Sequence, residues 1–252
     1  MPLIDEPLRT LAQLVAAEKA ETCGEHSRHS YVTAHQYRFA EMLRLCRSFV
    51  PSASARVLDV GRSELSSVLH SYYLNLSTLG LDTARDDGGH REVTAMDSVP
   101  HMTFDLLDAG EVTAWPDCEP FDLIVFSEVI EHLHVAPEFV LAALGSLLAD
   151  RGVLICTTPN AAEVSKRVRL MFGSHPYERL RLYSNNPGHI REYTRPELEA
   201  IGDSIGLDCV EHRYVDWMAS RNPIKATLAR LLRVYPPFRS FQVHVFARAK
   251  ER

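Results

Sequence analysis

Phe121-Asp122-Leu123-Ile124-Val125-Phe126 runs directly into Ser127-Glu128-Val129-Ile130-Glu131-His132. The short apolar run indicates a buried parallel strand, because such strands are covered on both faces. If the chain turns helical after Ser127, Glu128 meets Glu131 and His132 at helical spacings of three and four residues. Two carboxylates and one imidazole then project from the carboxyl end of a strand, where open α/β sheets place their ligand sites.

Strand and helix patterns alternate on both sides of this run. Further strands are expected at about 56–60, 74–81, 102–104, 152–157, 207–215 and 242–247. One helix is expected at 137–148, with Pro137 in its first turn, and another after Thr194, where Glu197 completes a capping box. The alternation predicts an α/β protein with a Rossmann-like, doubly wound, mostly parallel sheet of seven strands.

The 252 residues divide at a linker that begins at Pro51. We expect an N-terminal helical cap over residues 1–50 and the sheet domain over 51–252, with inserted helices near 161–188 and 217–240. Both inserts are rich in lysine and arginine. These cations either form solvated helix faces or line a rim that attracts an anionic or sugar-phosphate substrate, or a membrane surface.

Composition excludes several classes of protein. A net charge of −6 argues against a general nucleic-acid binder, which normally carries a basic face. No apolar run reaches the roughly 18 residues of a membrane span, and the N-terminus lacks the pattern of a signal peptide. The five cysteines are odd in number and lack CxxC spacing, which favours reduced thiols in a cytoplasmic protein. A monomer and a homodimer both stay open.

Three successive strands end in an acidic residue: Asp59, Asp82 and Asp105. Gly61 follows the first strand, where the backbone must turn sharply or approach a ligand. Asp82 lies about 20 residues further on, where it can accept hydrogen bonds from two ribose hydroxyls. Asp105 is within reach of an adenine edge. Acidic strand ends suit a cationic nucleoside without phosphates.

On these residues the chain resembles the class I S-adenosylmethionine-dependent methyltransferases over about residues 55–250. The resemblance rests on the segments Val57–Gly61, Gly80–Asp82, Phe104–Leu107, Phe121–Leu133 and Gly152–Asn160. It implies S-adenosylmethionine as cofactor, bound by Asp59, Gly61, Ser63, Asp82, Asp105, Leu106 and Ser127.

The first cofactor loop departs from the family pattern. It usually reads GxGxG, whereas this chain has Gly61-Arg62-Ser63-Glu64-Leu65. We expect Ser63 or Arg62 to replace a backbone contact to the methionine end of the cofactor. A Rossmann-like domain without catalysis is the alternative.

Glu128, Glu131 and His132, together with His189 of Gly188-His189-Ile190-Arg191-Glu192-Tyr193-Thr194, resemble the metal shell of the small-RNA 2′-O-methyltransferases. They are also similar to the metal-dependent O-methyltransferases of ubiquinone biosynthesis. The resemblance implies that these four residues bind Mg²⁺, although two imidazoles suit Mn²⁺, Fe²⁺ or Zn²⁺ better. In the metal-free alternative, His132, His189 or His134 acts as a general base.

The acceptor is predicted from the residues around this shell. Four protein ligands would leave two positions for adjacent oxygens, as in a sugar diol or a catechol. The His- and Tyr-rich segment 26–37 and the polar segment 177–186 favour a sugar. We therefore expect a metal-assisted O-methyltransferase of a saccharide or another small molecule, similar to bacterial enzymes of methylmannose polysaccharides. A quinone or catechol O-methyltransferase that touches a membrane and a catalytically silent cofactor-binding module are the alternatives.

Overall fold

The computed structural model describes residues 26–81, 96, 98–177, 180, 188–217 and 234–249, with side chains from Thr33 onward. Seven strands form one sheet: β1 (Arg56–Val60), β2 (Asn75–Gly80), β3 (His101–Thr103), β4 (Phe121–Ser127), β5 (Leu148–Pro159), β6 (Leu207–Val215) and β7 (Phe241–Arg248). The helices of the described residues are α1 (His26–Phe49), α2 (Glu64–His70), α3 (Pro137–Ser146), α4 (Val164–Met171) and α5 (Arg195–Ser204). Short 3₁₀ turns lie at Leu106–Gly110, Val112–Ala114, Ile130–His132 and Pro236–Phe238.

The strand order across the sheet is β3-β2-β1-β4-β5-β7-β6. The first five strands are parallel, whereas β7 runs antiparallel to both β5 and β6. The predicted Rossmann-like, mostly parallel sheet of seven strands is confirmed. The chain reverses its direction of travel across the sheet between β1 and β4, and α/β proteins bind ligands at such switch points.

Two predicted boundaries differ from the observed ones because of an irregular pairing. β5 begins at Leu148 rather than at 152, since Leu148 pairs with Phe121 before the register shifts. The preceding helix therefore ends at Ser146 instead of reaching residue 148. The predicted capping box of α5 is present, because Glu197 accepts hydrogen bonds from the backbone N–H and the hydroxyl of Thr194.

Helices cover both faces of the sheet, as a doubly wound fold requires. On one face Leu58 and Ile124 pack in one buried cluster with Leu144 of α3. On the other face Leu123 is clustered with Phe39 of α1. Adjacent positions along β4 thus face opposite layers, which buries an almost continuous apolar strand.

The predicted cap and inserts are only partly among the described residues. Residues 26–49 of the cap form α1, and the first insert contains α4. Residues 1–25, 181–187 and 218–233 lie outside the described residues. None of the helices in the described part of the chain combines the length and apolar character of a membrane span. Cys46, Cys118, Cys156 and Cys209 are free thiols.

Gly202 is predicted to be essential for the packing of α5. A Cβ at this position would lie 2.7 Å from the Phe246 ring and 2.8 Å from the Leu207 carbonyl oxygen. Gly202→Ala should therefore lower the free energy of unfolding by about 1–3 kcal/mol through overpacking, although alanine favours helices. Urea unfolding measures the change. Asp203→Ala, at the exposed neighbouring position, is the control, and its free energy of unfolding should stay within about 0.5 kcal/mol of that of the parent. Equal stabilities would contradict the close packing.

Candidate active site

Gly61 makes the turn after β1 at the switch point. Its φ is +85°, in the left-handed region that favours glycine. Its N–H donates to the Leu79 carbonyl at 2.9 Å, and a Cβ would lie 3.0 Å from Val129 Cγ2. Both the conformation and the space therefore require glycine here.

Serine side chains organise the loop where the family usually has further glycines. The Ser63 hydroxyl accepts from the Leu65 N–H at 3.2 Å, and the Ser63 N–H donates to Ser66 Oγ at 3.0 Å, which caps α2. Ser66 Oγ in turn donates to the buried Asp59 carboxylate at 2.6 Å. Two of the predicted cofactor residues, Asp59 and Ser63, thus fix the shape of the loop.

Arg62 lies within this loop and is half-buried. Its Nε is buried and has no hydrogen-bond partner in the described part of the chain. A buried donor without a partner costs free energy. The loop therefore offers a donor to an acceptor group of a ligand.

The remaining predicted cofactor residues lie at the ends of neighbouring strands. Asp105 caps the 3₁₀ turn that begins with the half-buried Leu106, and it accepts from the Leu107 N–H at 2.9 Å. Ser127 ends β4, and its hydroxyl is 2.9 Å from that of Thr157. Asp82 lies outside the described residues, so its role stays a prediction.

The helical turn directly after Ser127, on which the expected spacing of Glu128, Glu131 and His132 depended, is not formed. Glu128 has a φ of +56°, and only a 3₁₀ turn at Ile130–His132 follows. The Glu128 N–H donates to the Thr157 carbonyl at 2.9 Å, which extends the β4–β5 pairing by one residue before the chain reverses. A left-handed glutamate is uncommon, and such strained residues cluster at functional sites.

Glu128 is held between a hydroxyl and a guanidinium. Thr157 Oγ1 donates to its Oε1 at 2.9 Å, so the Ser127 hydroxyl must be the donor to Thr157. Arg38 Nη1 of α1 lies 3.9 Å from Oε2. Burial raises the pKa of Glu128, and Arg38 opposes that rise.

Glu131 is 1% exposed, and its Oε2 accepts from the Thr158 hydroxyl at 3.0 Å. Its backbone carbonyl accepts from the N–H groups of Ile190 (2.7 Å) and Arg191 (3.2 Å). Burial, together with the charge of Glu128, raises the pKa of Glu131 well above its usual range. In the described part of the chain, no lysine or arginine forms an ion pair with this carboxylate.

His132 and His189 stand edge to face, with ring centres 5.0 Å apart. Nδ1 of His132 lies 3.0 Å from the Gly188 carbonyl, which can only accept, so the proton is assigned to Nδ1. Nδ1 of His189 lies 3.1 Å from a carboxylate oxygen of Glu192, so the proton of His189 is also assigned to Nδ1. In the neutral form of each imidazole, the lone pair is therefore on Nε2.

Glu192 and Lys166 are site residues that the sequence analysis missed. Glu192 is almost fully buried and bonds both His189 and the ammonium of Lys166. Burial alone would raise the pKa of Glu192, but the hydrogen bonds and charges of His189 and Lys166 lower it. The sequence feature that could have indicated a role for Glu192 is its position three residues after His189.

The predicted metal ligands are only partly brought together. Glu131, His132 and His189 each place one potential ligand atom within 4.8 Å of the other two. Nε2 of His132 is 4.0 Å from Oε1 of Glu131. Glu128 is not part of this group, although its charge acts on Glu131. His134, the further predicted base, is exposed.

Comparison with known proteins identifies the family. A family model described as a methyltransferase domain matches residues 34–212, which is more than half of the chain. The chain belongs to this methyltransferase family. Together with the strand order, the match confirms the predicted class I S-adenosylmethionine-dependent methyltransferase. No curated protein sequence is a significant match.

Solved structures share the fold at low sequence identity. A methyltransferase of Archaeoglobus fulgidus is 13% identical, with a TM-score of 0.54 over 86% of this chain and 99% of its own. The N-methyltransferase NodS of Bradyrhizobium japonicum, bound to S-adenosylhomocysteine, is 15% identical, with a TM-score of 0.52 over 97% and 100%. A didemethyltoxoflavin N1-methyltransferase of Burkholderia thailandensis is 16% identical, with a TM-score of 0.55 over 97% and 91%. At these identities the likeness establishes the fold and not the acceptor.

Asp59 should make stability depend on pH. Burial raises its pKa from 3.8 to about 7, against the opposing hydrogen bond from Ser66. The folded state therefore holds a proton that the unfolded state releases, and stability contributed by this group falls as pH rises from about 4 to about 7. The difference in thermal midpoint between the parent and Asp59→Asn, measured across this range, isolates the effect. A difference that does not vary with pH would contradict it.

Proposed function

We propose that this methyltransferase transfers a methyl group from S-adenosylmethionine to a hydroxyl of a sugar or oligosaccharide, with a divalent cation held by Glu131, His132 and His189. The observation that carries the proposal is the buried Glu131 carboxylate, which lacks a cationic partner among the described side chains and faces two imidazole nitrogens. An unpaired buried carboxylate is costly, and a bound cation would offset that cost.

The residues at the switch point fit the proposed cofactor. In S-adenosylmethionine, the methyl group to be transferred is bonded to a sulfonium sulfur. Gly61 lets the backbone approach a ligand, and the buried Arg62 Nε offers a donor for the carboxylate of its methionine moiety. Ser63 and Asp59 shape the loop that carries Arg62, and Asp82 and Asp105 are the proposed ribose and adenine contacts.

The two histidines fit the proposed cation. Each engages its Nδ1 with an oxygen acceptor, the Gly188 carbonyl for His132 and the Glu192 carboxylate for His189. Metal-binding histidines characteristically make such a contact, which fixes the tautomer and aims Nε2 at the ion. A divalent cation supplies Lewis acidity, which lowers the pKa of a hydroxyl toward neutrality. Mn²⁺ suits a set of one carboxylate and two imidazoles better than Mg²⁺ does.

A hydroxyl acceptor follows from this donor set. A hydroxyl is a poor nucleophile at neutral pH and needs its proton removed, whereas a neutral amine does not need Lewis-acid help. The half-buried Tyr177 lies beside the site, with the Lys166 ammonium 5.8 Å from its ring centre. Its apolar face and polar hydroxyl suit the two sides of a sugar ring. Arg38 and Lys166 hold Glu128 and Glu192 in place beside it.

Arg62 should contribute to cofactor affinity. Arg62→Ala removes the proposed charge-assisted hydrogen bond to the cofactor carboxylate, so S-adenosylhomocysteine should bind with about 1.5–3 kcal/mol less free energy. Isothermal titration calorimetry measures the loss. Arg151→Ala, at an exposed arginine, is the matched control and should leave the affinity unchanged. Equal affinities of parent and Arg62→Ala would remove Arg62 from the site.

The cation should depend on Glu131 and not on His134. EDTA-treated protein saturated with S-adenosylhomocysteine is titrated with Mn²⁺ and, separately, with Mg²⁺. The parent and His134→Ala should bind the ion, whereas Glu131→Gln, which keeps the shape but loses the charge, should bind it at least about tenfold more weakly. Methyl transfer to saccharides with vicinal diols should fall in the same variant.

Other outcomes discriminate the alternatives. Cofactor binding and methyl transfer without any metal signal would overturn the proposed cation site and leave His132 or His189 as a general base. Methyl transfer to catechols but not to saccharides would overturn the proposal that the acceptor is a sugar. Cofactor binding without transfer to any hydroxyl would indicate a catalytically silent module.

A further inference from the structure

A second group of potential metal ligands lies outside the candidate active site, where α5 packs on β6 and β7. Glu199, Cys209 and His244 each place one potential ligand atom within 4.8 Å of the other two. Sγ of Cys209 is 3.8 Å from Nδ1 of His244. Ligand atoms on one tetrahedral zinc ion lie about 3.3–3.8 Å apart, given bonds of about 2.0–2.3 Å. The sulfur–nitrogen pair already has this spacing.

A β-bulge brings the side chains to one face of the sheet. Cys209 pairs with Phe246, and His212 pairs with His244, with a register shift between Cys209 and Glu211. The bulge therefore inserts one extra residue into β6. Because side chains alternate along a regular strand, that extra residue places Cys209 and His212 on the same face as His244.

Hydrogen bonds fix His244 in the tautomer that a metal requires. Gln242 Nε2 donates to the Tyr193 carbonyl at 2.7 Å, which leaves Oε1 of Gln242 as an acceptor. That oxygen lies 3.2 Å from Nε2 of His244, so the proton is on Nε2 and the Nδ1 lone pair faces Cys209. Gln242 and His244 are both 0% exposed, so water does not compete for these contacts.

The donor groups of the cluster match the charge of a divalent ion. A thiolate from Cys209 and the carboxylate of Glu199 would together balance two positive charges. Arg195 Nε donates to Glu199 Oε1 at 2.7 Å and orients that carboxylate.

We propose that Glu199, Cys209 and His244 form a second metal site, for a borderline-soft divalent cation and Zn²⁺ above all. Sulfur, imidazole nitrogen and carboxylate oxygen are the donors that zinc takes in proteins. The ring centre of His212 lies 4.6 Å from that of His244, but its nitrogen atoms are not part of the 4.8 Å group, so the proposed site has three protein ligands. The site is independent of the cation proposed for the active site.

Such an ion would fasten three elements together. It joins α5 to the two outer strands, β6 and β7, at a sheet edge. Through Gln242 it also reaches the Tyr193 carbonyl, in the segment that carries His189 and Glu192. The proposed role is structural. The ion would stabilise the sheet edge formed by β6 and β7, together with the segment near Tyr193.

Cobalt spectroscopy tests the site, because only a thiolate ligand gives a near-ultraviolet sulfur-to-Co²⁺ charge-transfer band. Chelator-treated full-length protein is titrated with Co²⁺. The parent, Glu131→Gln and Cys118→Ser should show the band at about one equivalent, and Zn²⁺ should abolish it. Cys209→Ser, a nearly isosteric change, should lack the band. Cys118, on a different part of the chain and only half-buried, is the matched control.

Thermal unfolding provides a second readout that does not require cobalt. Free Zn²⁺ at 100 times its dissociation constant should raise the thermal midpoint of the parent and Cys118→Ser by about 5–10 °C. Cys209→Ser should show a clearly smaller rise, because it keeps only the cation proposed for the active site. A parent without the cobalt band, a band that persists in Cys209→Ser, or equal zinc shifts in the two cysteine variants would each overturn the second metal site.

Discussion

The pairing of β4 with β5 is the constraint on which the candidate active site depends. Their register places Ser127 beside Thr157 at the carboxyl end of the sheet, and the Glu128 N–H continues the ladder by one more bond. The hydroxyls of Thr157 and Thr158 are thereby aimed at the carboxylates of Glu128 and Glu131. A register slip of one residue would turn each threonine side chain to the face of the sheet opposite to its own.

Charge around this edge is distributed unequally. Glu128 and Glu192 each have a cation from another element, Arg38 from α1 and Lys166 from α4. Glu131 has hydrogen bonds and two imidazoles instead. The helices outside the sheet thus neutralise the outer carboxylates and leave the central one to the proposed ligand, which gives a reason why the site draws on elements far apart in sequence.

Much of the fold could be predicted because it depends on local patterns. Apolar runs of strand length, Pro137 in a first helical turn and the Thr194–Glu197 capping box are all visible within a few residues. Glu131, His132 and His189 could be proposed as metal ligands because their residue types and order resemble a known metal shell. The left-handed Glu128 could not be predicted, since its conformation is imposed by a hydrogen bond to β5. Arg38 and Glu192 were missed because their roles depend on contacts that only the folded chain creates.

A main-chain contact joins the segment that carries His189 to the 3₁₀ turn that carries Glu131. The Glu131 carbonyl accepts from the N–H groups of Ile190 and Arg191, so the segment with His189 is tied through main-chain atoms. Among single replacements at these two positions, only proline would remove a donor N–H. We therefore expect that a change of length in the stretch between α4 and His189 would preserve the distance between His132 and His189.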